Sequence, residues 1–413
     1  MLRKLLKALG WSAAGLVGLC VGLYLVALAI NWRDREPSAT AIRLTALYRD
    51  RPAVADEDNG FVYLQRWEAD PNRHDKLSVR LREFREACGP GRRECAAAFA
   101  EADGMLAEWR AVDPTLLDRY TALIAHSGWQ EDASSLSISG SLPSYSVAMD
   151  GQRLLLLRAR ELAQQGDAAT VHSLLERDLQ FWRTALQSSD TLISRMIATV
   201  AITRQFTLGN VVLRKLPQAS QGAAMPVSWR RPISGAERSM VRCTVGEWLF
   251  VLDAMRSIEA SEDRLTRPLF QMQDTANRFA ELYWQTAQKF EVPLAQYQDA
   301  AREADELSGL AAAEAAASRE IYNWRGIRML EDTTRFSQYA LRVGDIEGVR
   351  RAAVAAATLR ASGVDAKDVP AALAGAEERD PYTDRPFDWD PASSAIVFRG
   401  LQDGERGEHR IYY

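Results

Sequence analysis

The stretch Gln152-Arg-Leu-Leu-Leu-Leu-Arg-Ala-Arg-Glu-Leu-Ala-Gln-Gln-Gly-Asp-Ala-Ala-Thr-Val-His-Ser-Leu-Leu-Glu-Arg-Asp-Leu-Gln-Phe-Trp-Arg-Thr-Ala-Leu-Gln187 decides the fold class. Leu154 to Leu157 form an unbroken apolar row, which marks a central helix buried on several sides. Gln165-Gly166-Asp167 then interrupts it, with glycine to leave one helix and aspartate to cap the next. Beyond the break, Val171, Leu174, Leu175, Trp182 and Leu186 recur at helical spacing. The stretch therefore predicts a helical hairpin. Tyr339 to Asp345, followed by Val349, Ala352, Ala353, Ala356 and Leu359, predicts a second one of the same kind around Gly344-Asp345. The two do not repeat at a fixed short period, so a regular solenoid is not expected. The expected fold is mostly α: an irregular helical bundle with solenoid-like hairpins.

Outward from this unit, most of the 413 residues read as helix. Helices are expected over Ala39–Arg51, Lys76–Ala87, Cys95–Val112 and Pro114–His126, the last opened by an Asp113-Pro114 cap. Asn59-Gly60 introduces Phe61 to Trp67, which fits strand or helix. Residues 127–146 carry serines at 127, 134, 135, 137, 139, 141, 144 and 146 and form a long polar loop. Leu192–Leu216 is helical, and Arg195 and Arg204 within it tell against a second membrane span. Pro217, Pro226 and Pro232 mark a linker over residues 217–234, and Ser234-Gly-Ala-Glu237 matches a capping box. Further helices follow around Trp248–Ile258, Ala276–Phe290 and Leu310–Ser318. The expected organisation is a leader and anchor (1–32), a first helical region (33–216), the linker (217–234), a second helical region (235–375) and a turn-rich tail (376–413). In the tail, Ser394–Arg399 and His409–Tyr413 predict a small β-hairpin.

The 22 residues from Leu9 to Ile30 hold no charge and would span ~33 Å as a helix, enough for a ~30 Å hydrocarbon core. Arg3, Lys4 and Lys7 precede them as in a signal sequence. An uncleaved signal anchor fits this length best. Cleavage after Ala27-Leu28-Ala29 is the alternative, and Leu19 is too large for a lipoprotein site at Cys20. The arrangement predicts a single-pass bacterial inner-membrane protein with its body in the periplasm. There, Cys88 and Cys95, on either side of a glycine- and proline-containing turn, would close a disulfide; in a reducing compartment they would stay free.

The charge sum, 51 basic against 55 acidic residues, excludes bulk attraction to nucleic acid. The basic residues are 45 Arg and 6 Lys, a compositional bias rather than a phosphate-binding pattern. No nucleophile elbow, zinc-protease motif, phosphate loop or dinucleotide fingerprint is present, and no catalytic, cofactor or metal residue is assigned. His74, His126, His172 and His409 are scattered without ligand partners. Asp380, Asp384, Asp388 and Asp390 offer hard oxygens, but interspersed Arg379 and Arg385 favour turn-forming roles. Trp67, Trp129 and Trp229 lie in or near loops, where they serve either core packing or a partner surface.

Asn59-Gly-Phe-Val-Tyr-Leu, Leu175 to Arg183, Leu192 to Ile197 and the tail from Asp380 to Trp389 together resemble a family of uncharacterised proteobacterial proteins with one N-terminal span and a helical body. The resemblance runs through most of the chain and implies an inner-membrane location and a helical fold, with no activity to carry over. The tail alone also resembles the ending of some secretion-system pseudopilins. The expected function is protein interaction or scaffolding in the cell envelope. The alternatives are a periplasmic enzyme acting through acidic residues and a hydrophobic-ligand carrier, the latter needing a large apolar cavity.

Overall fold

The computed structural model describes residues 2–67, 76–89, 94–132, 136–261, 263–332 and 336–413. Its first element is α1, Leu2–Ile30, whose apolar stretch from Leu9 is long enough to cross a membrane and is not buried by the body. Ser38, accepting from the Ala41 amide, then caps α2, Ala39–Arg49. Asn59 caps α3, Gly60–Gln65, so the Phe61 stretch is helical rather than extended. The same asparagine pins the serine-rich loop: its amide group donates to the Gln130 carbonyl (2.8 Å) and its Oδ1 accepts the Gln130 N–H (3.0 Å). Asn59-Gly60 is therefore both a helix start and the anchor of the loop at residues 128–130. Ser134 and Ser135 of that loop lie outside the described residues.

Four short helices follow: α4 Val79–Ala87, α5 Cys95–Ala100, α6 Met105–Val112 and α7 Leu116–Leu123. The helix expected over Cys95–Val112 is thus two. The Asp113-Pro114 cap is not made either, since α7 begins after Thr115 with no side-chain cap.

The core is built on α8 (Tyr145–Gln164), α9 (Ala168–Ser188) and α10 (Leu192–Arg214). Between the first two, Gly166 takes φ 83° and Asp167 accepts from the Thr170 amide (3.0 Å), so this hairpin forms as its sequence dictates. α10 is also apolar and long enough to cross a membrane, yet it is mostly buried inside the body as a core helix. Its charged Arg195 is absorbed by main chain, donating to the carbonyls of Leu186 and Glu237 (both 2.6 Å).

Residues 217–234 are packed into the body rather than strung between two domains. α11 (Gln218–Ala224) and α12 (Val227–Arg230) lie on α9 and on α18 (Ser337–Ala361). Two buried ion pairs hold the segment. Glu237, which completes the Ser234 capping box of α13 (Gly235–Arg238), pairs with Arg183, and Glu347, which accepts the Ile233 N–H, pairs with Arg350. The remaining helices are α14 Val241–Ser261, α15 Met272–Lys289, α16 Tyr297–Ala317, α17 Trp324–Arg328 and α19 Val369–Ala374.

The second expected hairpin does not form: α18 runs straight through Gly344-Asp345. Here glycine serves close packing. A Cβ on Gly344 would sit 2.9 Å from the Tyr297 ring and from the Tyr382 hydroxyl, so the position admits aromatic neighbours without ending the helix.

The tail forms an antiparallel sheet of β1 (Asp388–Asp390), β2 (Ala395–Arg399) and β3 (Glu408–Tyr412), in that order. The two expected strands are β2 and β3, with Ile396 opposite Ile411. The third, β1, was hidden by its polar Asp-Trp-Asp sequence. Ile396, Phe398 and Ile411 are buried where the sheet packs on α10 and α18, which supplies the stability two strands alone lack.

Candidate functional site

Between α10, the start of α18, the tail sheet and the facing ends of α4 and α5 opens a cleft of about 370 Å³. Helical spacing accounts for the α10 wall. Met196, Thr199, Val200, Thr203 and Thr207 recur every three or four residues and so share one face. The opposite walls are Arg342 and Asp345 of α18 and the stretch from Gln402 to Arg410. Cys88 and Cys95 close one end, joined in a disulfide with Cα atoms 4.3 Å apart. The residues between them, Pro90 to Arg93, lie outside the described residues.

The floor of the cleft leads into a polar network in the core. Arg204 is buried and donates to Gln152 Oε1 (3.1 Å) and the Met149 carbonyl (3.3 Å). Burial, and then the nearby Arg153 charge, pulls its guanidinium down to about 9. Gln152 in turn donates to Asp178 (3.0 Å), which also accepts from Tyr120; the Trp182 indole donates to that phenol oxygen (2.8 Å). Burial pushes the Asp178 carboxyl up to about 6, with the Tyr120 and Gln152 hydrogen bonds opposing.

Two groups on the far wall have unused hydrogen-bonding capacity. Asp345 accepts at one oxygen from Tyr382 (2.7 Å) and the Leu401 N–H (3.0 Å), while its Oδ2 has no partner. Burial pushes this carboxyl up to about 6 against those bonds. Gly400 must be glycine here, because a Cβ would lie 2.3 Å from the Asp345 carboxyl. His409 stacks on Phe398, with centroids 5.7 Å apart, and its Nε2 is shut off from solvent without a partner. Burial lowers the imidazole to about 4, so the ring is neutral at physiological pH.

The chemistry available is recognition by hydrogen bonds and charge. Four arginines line the cleft (Arg204, Arg342, Arg406 and Arg410), alongside Asp345, Glu405 and Glu408. Thr199 and Thr207 donate their hydroxyl protons to helix carbonyls (2.8 and 3.1 Å), which leaves them as acceptors rather than nucleophiles. Among the described residues no three His, Cys, Asp or Glu side chains converge as a metal site. Asp380 caps its own turn by accepting from the amides of Tyr382 and Thr383, while Asp388 and Asp390 pair with Arg399 and Arg410.

A second buried acidic node lies where Glu131 of the serine-rich loop meets Asp190. Glu131 is fully buried, accepts the Asp190 N–H (3.2 Å) at Oε1 and has no partner at Oε2. Burial, and then the neighbouring Asp190 charge, pushes it up to about 7. Asp190 is itself clamped by Arg51 and Arg242.

Of the residues singled out in the sequence, the cysteines reach the cleft and the three tryptophans do not. Trp67, Trp129 and Trp229 are all buried, so they form no partner surface. The reason is aromatic packing reached from short loops. Trp129 meets Phe61 and Phe181 edge to face (5.5 and 5.9 Å), and Trp67 meets Tyr63 (6.3 Å). Trp229 packs on Phe206 (5.4 Å) and donates to Gln205 (2.9 Å). Among the histidines, His409 lines the cleft and His74 lies outside the described residues. Arg204, Asp345 and His409 were missed as site residues. Only Arg204 carried a signal, as a charge within an apolar helix.

Replacing both Cys88 and Cys95 with serine is expected to cost about 2 kcal/mol, the loop-closure value for so short a ring. A urea titration of oxidised protein and variant should show it as a lower midpoint with a similar slope.

Comparison with protein-family models, with curated proteins and with solved structures found no match.

Proposed function

We propose that the chain is a single-span inner-membrane protein whose helical body lies in the periplasm and binds a protein partner of the cell envelope through the cleft. The reading of α1 as an uncleaved signal anchor supports the location, as does a cysteine pair placed to form a disulfide in an oxidising compartment. The resemblance to single-span proteobacterial proteins is consistent with it. The carrying observation is that segments distant in sequence converge on one cleft and set the charged side chains of Arg342, Glu405 and Arg406 where a partner can reach them. A partner segment that carries both apolar and charged side chains fits such a mixed surface.

The enzyme reading asked for two carboxylates meeting in a cleft with little arginine nearby. In this cleft Asp345 is the one buried carboxylate among the described residues, and no second buried carboxylate meets it there. The carrier reading asked for a large apolar cavity, and this one mixes apolar groups (Met196, Val200, Leu208) with charged and hydroxyl ones. Interaction is the stronger reading.

The test is photo-crosslinking in cells, with the full-length protein carrying the crosslinker at Thr203 or Glu405 in the cleft and at exposed Arg177 as reference. A distinct envelope protein captured from the cleft positions and not from Arg177 is the expected result. Capture of nothing beyond what the reference position captures would sink the proposal.

A further inference from the structure

Beside the end of α1, the loop after α14 presents Arg264, Leu265 and Arg267 outward. We infer that this loop, together with Trp32 and Trp324, is a lipid-contacting surface that seats the body on the outer leaflet of the membrane α1 crosses. The inference rests on the reading of α1 as a span.

Depth is the first argument. The Tyr24 hydroxyl donates to the Leu265 carbonyl (2.8 Å), which places the loop alongside α1 six residues before its end at Ile30. At 1.5 Å per residue that is ~9 Å below the helix end. Tyr24, Ala27 and Leu28, on one helical face, are the positions where α1 is partly covered near its end. A helix whose apolar stretch runs to Ile30 carries whatever lies at Tyr24 into the interfacial zone or below it.

The second argument is chemical. Leu265 is 68% exposed, an apolar side chain that the body leaves uncovered. Its neighbours Arg264 and Arg267 are exposed and form no ion pair among the described residues, which suits anionic lipid phosphates. Moreover, the N–H groups of Leu265, Thr266, Arg267, Leu269 and Phe270 are satisfied within the loop. Asp263 Oδ1 accepts from the amides of Leu265 and Thr266 (2.8 and 3.0 Å), and the Asp263 carbonyl accepts from Arg267 (3.0 Å). Pro268 has no N–H, and the amides of Leu269 and Phe270 close onto Thr266 and Arg267 (2.9 and 3.1 Å). Closure of this kind meets the requirement that a loop entering the interface satisfy its own backbone.

The third argument is continuity. Asn31 donates to the Ile321 carbonyl (3.1 Å) and accepts the Asn323 N–H (2.7 Å), so α17 begins at the point where α1 ends. The two tryptophans flanking this contact, Trp32 and Trp324, are 87% and 50% exposed. Exposed indoles at the end of a span are what the headgroup layer selects.

The test uses the full-length chain with Cys20→Ala, reconstituted in vesicles of phosphatidylethanolamine and phosphatidylglycerol. A nitroxide is placed by Leu265→Cys or, separately, by Leu16→Cys in the middle of α1. Accessibility to oxygen and to a water-soluble nickel chelate reads the depth of each label. Both labels shielded from the chelate, with Leu16 deeper, is the expected result. Substituting Arg264→Glu and Arg267→Glu together should then raise chelate access at position 265 and leave position 16 unchanged. A label at 265 as accessible as in solution, with 16 still shielded, would overturn the inference and leave the span standing. A label at 16 open to the chelate would overturn both.

Discussion

Arg183→Ala is expected to destabilise the protein by about 3–5 kcal/mol, the cost of removing one partner from a buried ion pair. Arg183 is almost completely buried, and its guanidinium meets Glu237 at both carboxylate oxygens (2.5 and 2.8 Å). It also donates to the carbonyls of Ser228, Arg231 and Pro232 (3.2, 2.7 and 2.8 Å). Truncation therefore strands one carboxylate and three main-chain acceptors away from water. Lysine at 183 should recover little, because a single ammonium cannot span a carboxylate and three carbonyls held in fork geometry. Arg177→Ala, six residues earlier and exposed on the same helix, should lie within about 0.5 kcal/mol of wild type. Urea titrations of detergent-solubilised protein, followed by tryptophan fluorescence, measure all three. Equal midpoints for Arg183→Ala and Arg177→Ala would show that the clamp on residues 228–237 does not stabilise the fold.

The clamp also shows where the sequence was legible. Ser234 and Glu237 signalled a capping box, and the box is present, because capping depends on residues three apart. The sequence could not show that the same Glu237 would meet Arg183 across 54 positions. Nor could it separate the two Gly-Asp dipeptides. Gly166 ends its helix in the left-handed region, while Gly344 stays helical beneath Tyr297 and Tyr382. What distinguishes them lies in packing against remote elements.

The cleft was illegible for the same reason. Its walls come from residues 88–89, 95–96, 196–208, 342–345 and 402–410, none of which is a motif alone. Tryptophans near loops suggested a surface, yet Trp129 sits in a loop that Asn59 draws into the aromatic core. An N-terminal helix long and apolar enough to cross a membrane was legible because that is a local property of composition and length. Local rules thus carried the fold class and the caps at Asp167 and Ser234, missed at Asp113, and failed where the cleft depends on convergence.

Glu131→Gln should reverse its effect on stability with pH. Burial and the neighbouring Asp190 raise the Glu131 carboxyl from its ordinary 4.5 to about 7 in the folded protein. Between those values the unfolded chain has released the proton and the folded chain still holds it, so stability falls as pH rises through the window. Below about 4.5 both states are protonated and this contribution is fully present; above about 7 it is lost. At 1.36 kcal/mol per unit the loss amounts to about 3 kcal/mol. Glutamine mimics the protonated acid at every pH. At pH 5 the variant should match wild type or fall slightly below it, since its amide protons gain no assured acceptor beside Oε2. At pH 8 it should be the more stable protein by about 2–3 kcal/mol. His409, lowered to about 4, acts in the opposite direction between about 4 and 6.5, but it is present in both proteins and cancels from their difference. The difference in urea midpoints at pH 5 and pH 8 is therefore the quantity to measure. A constant difference would mean that Glu131 ionises in the folded body as readily as in the unfolded chain, and that the pocket around it is wet.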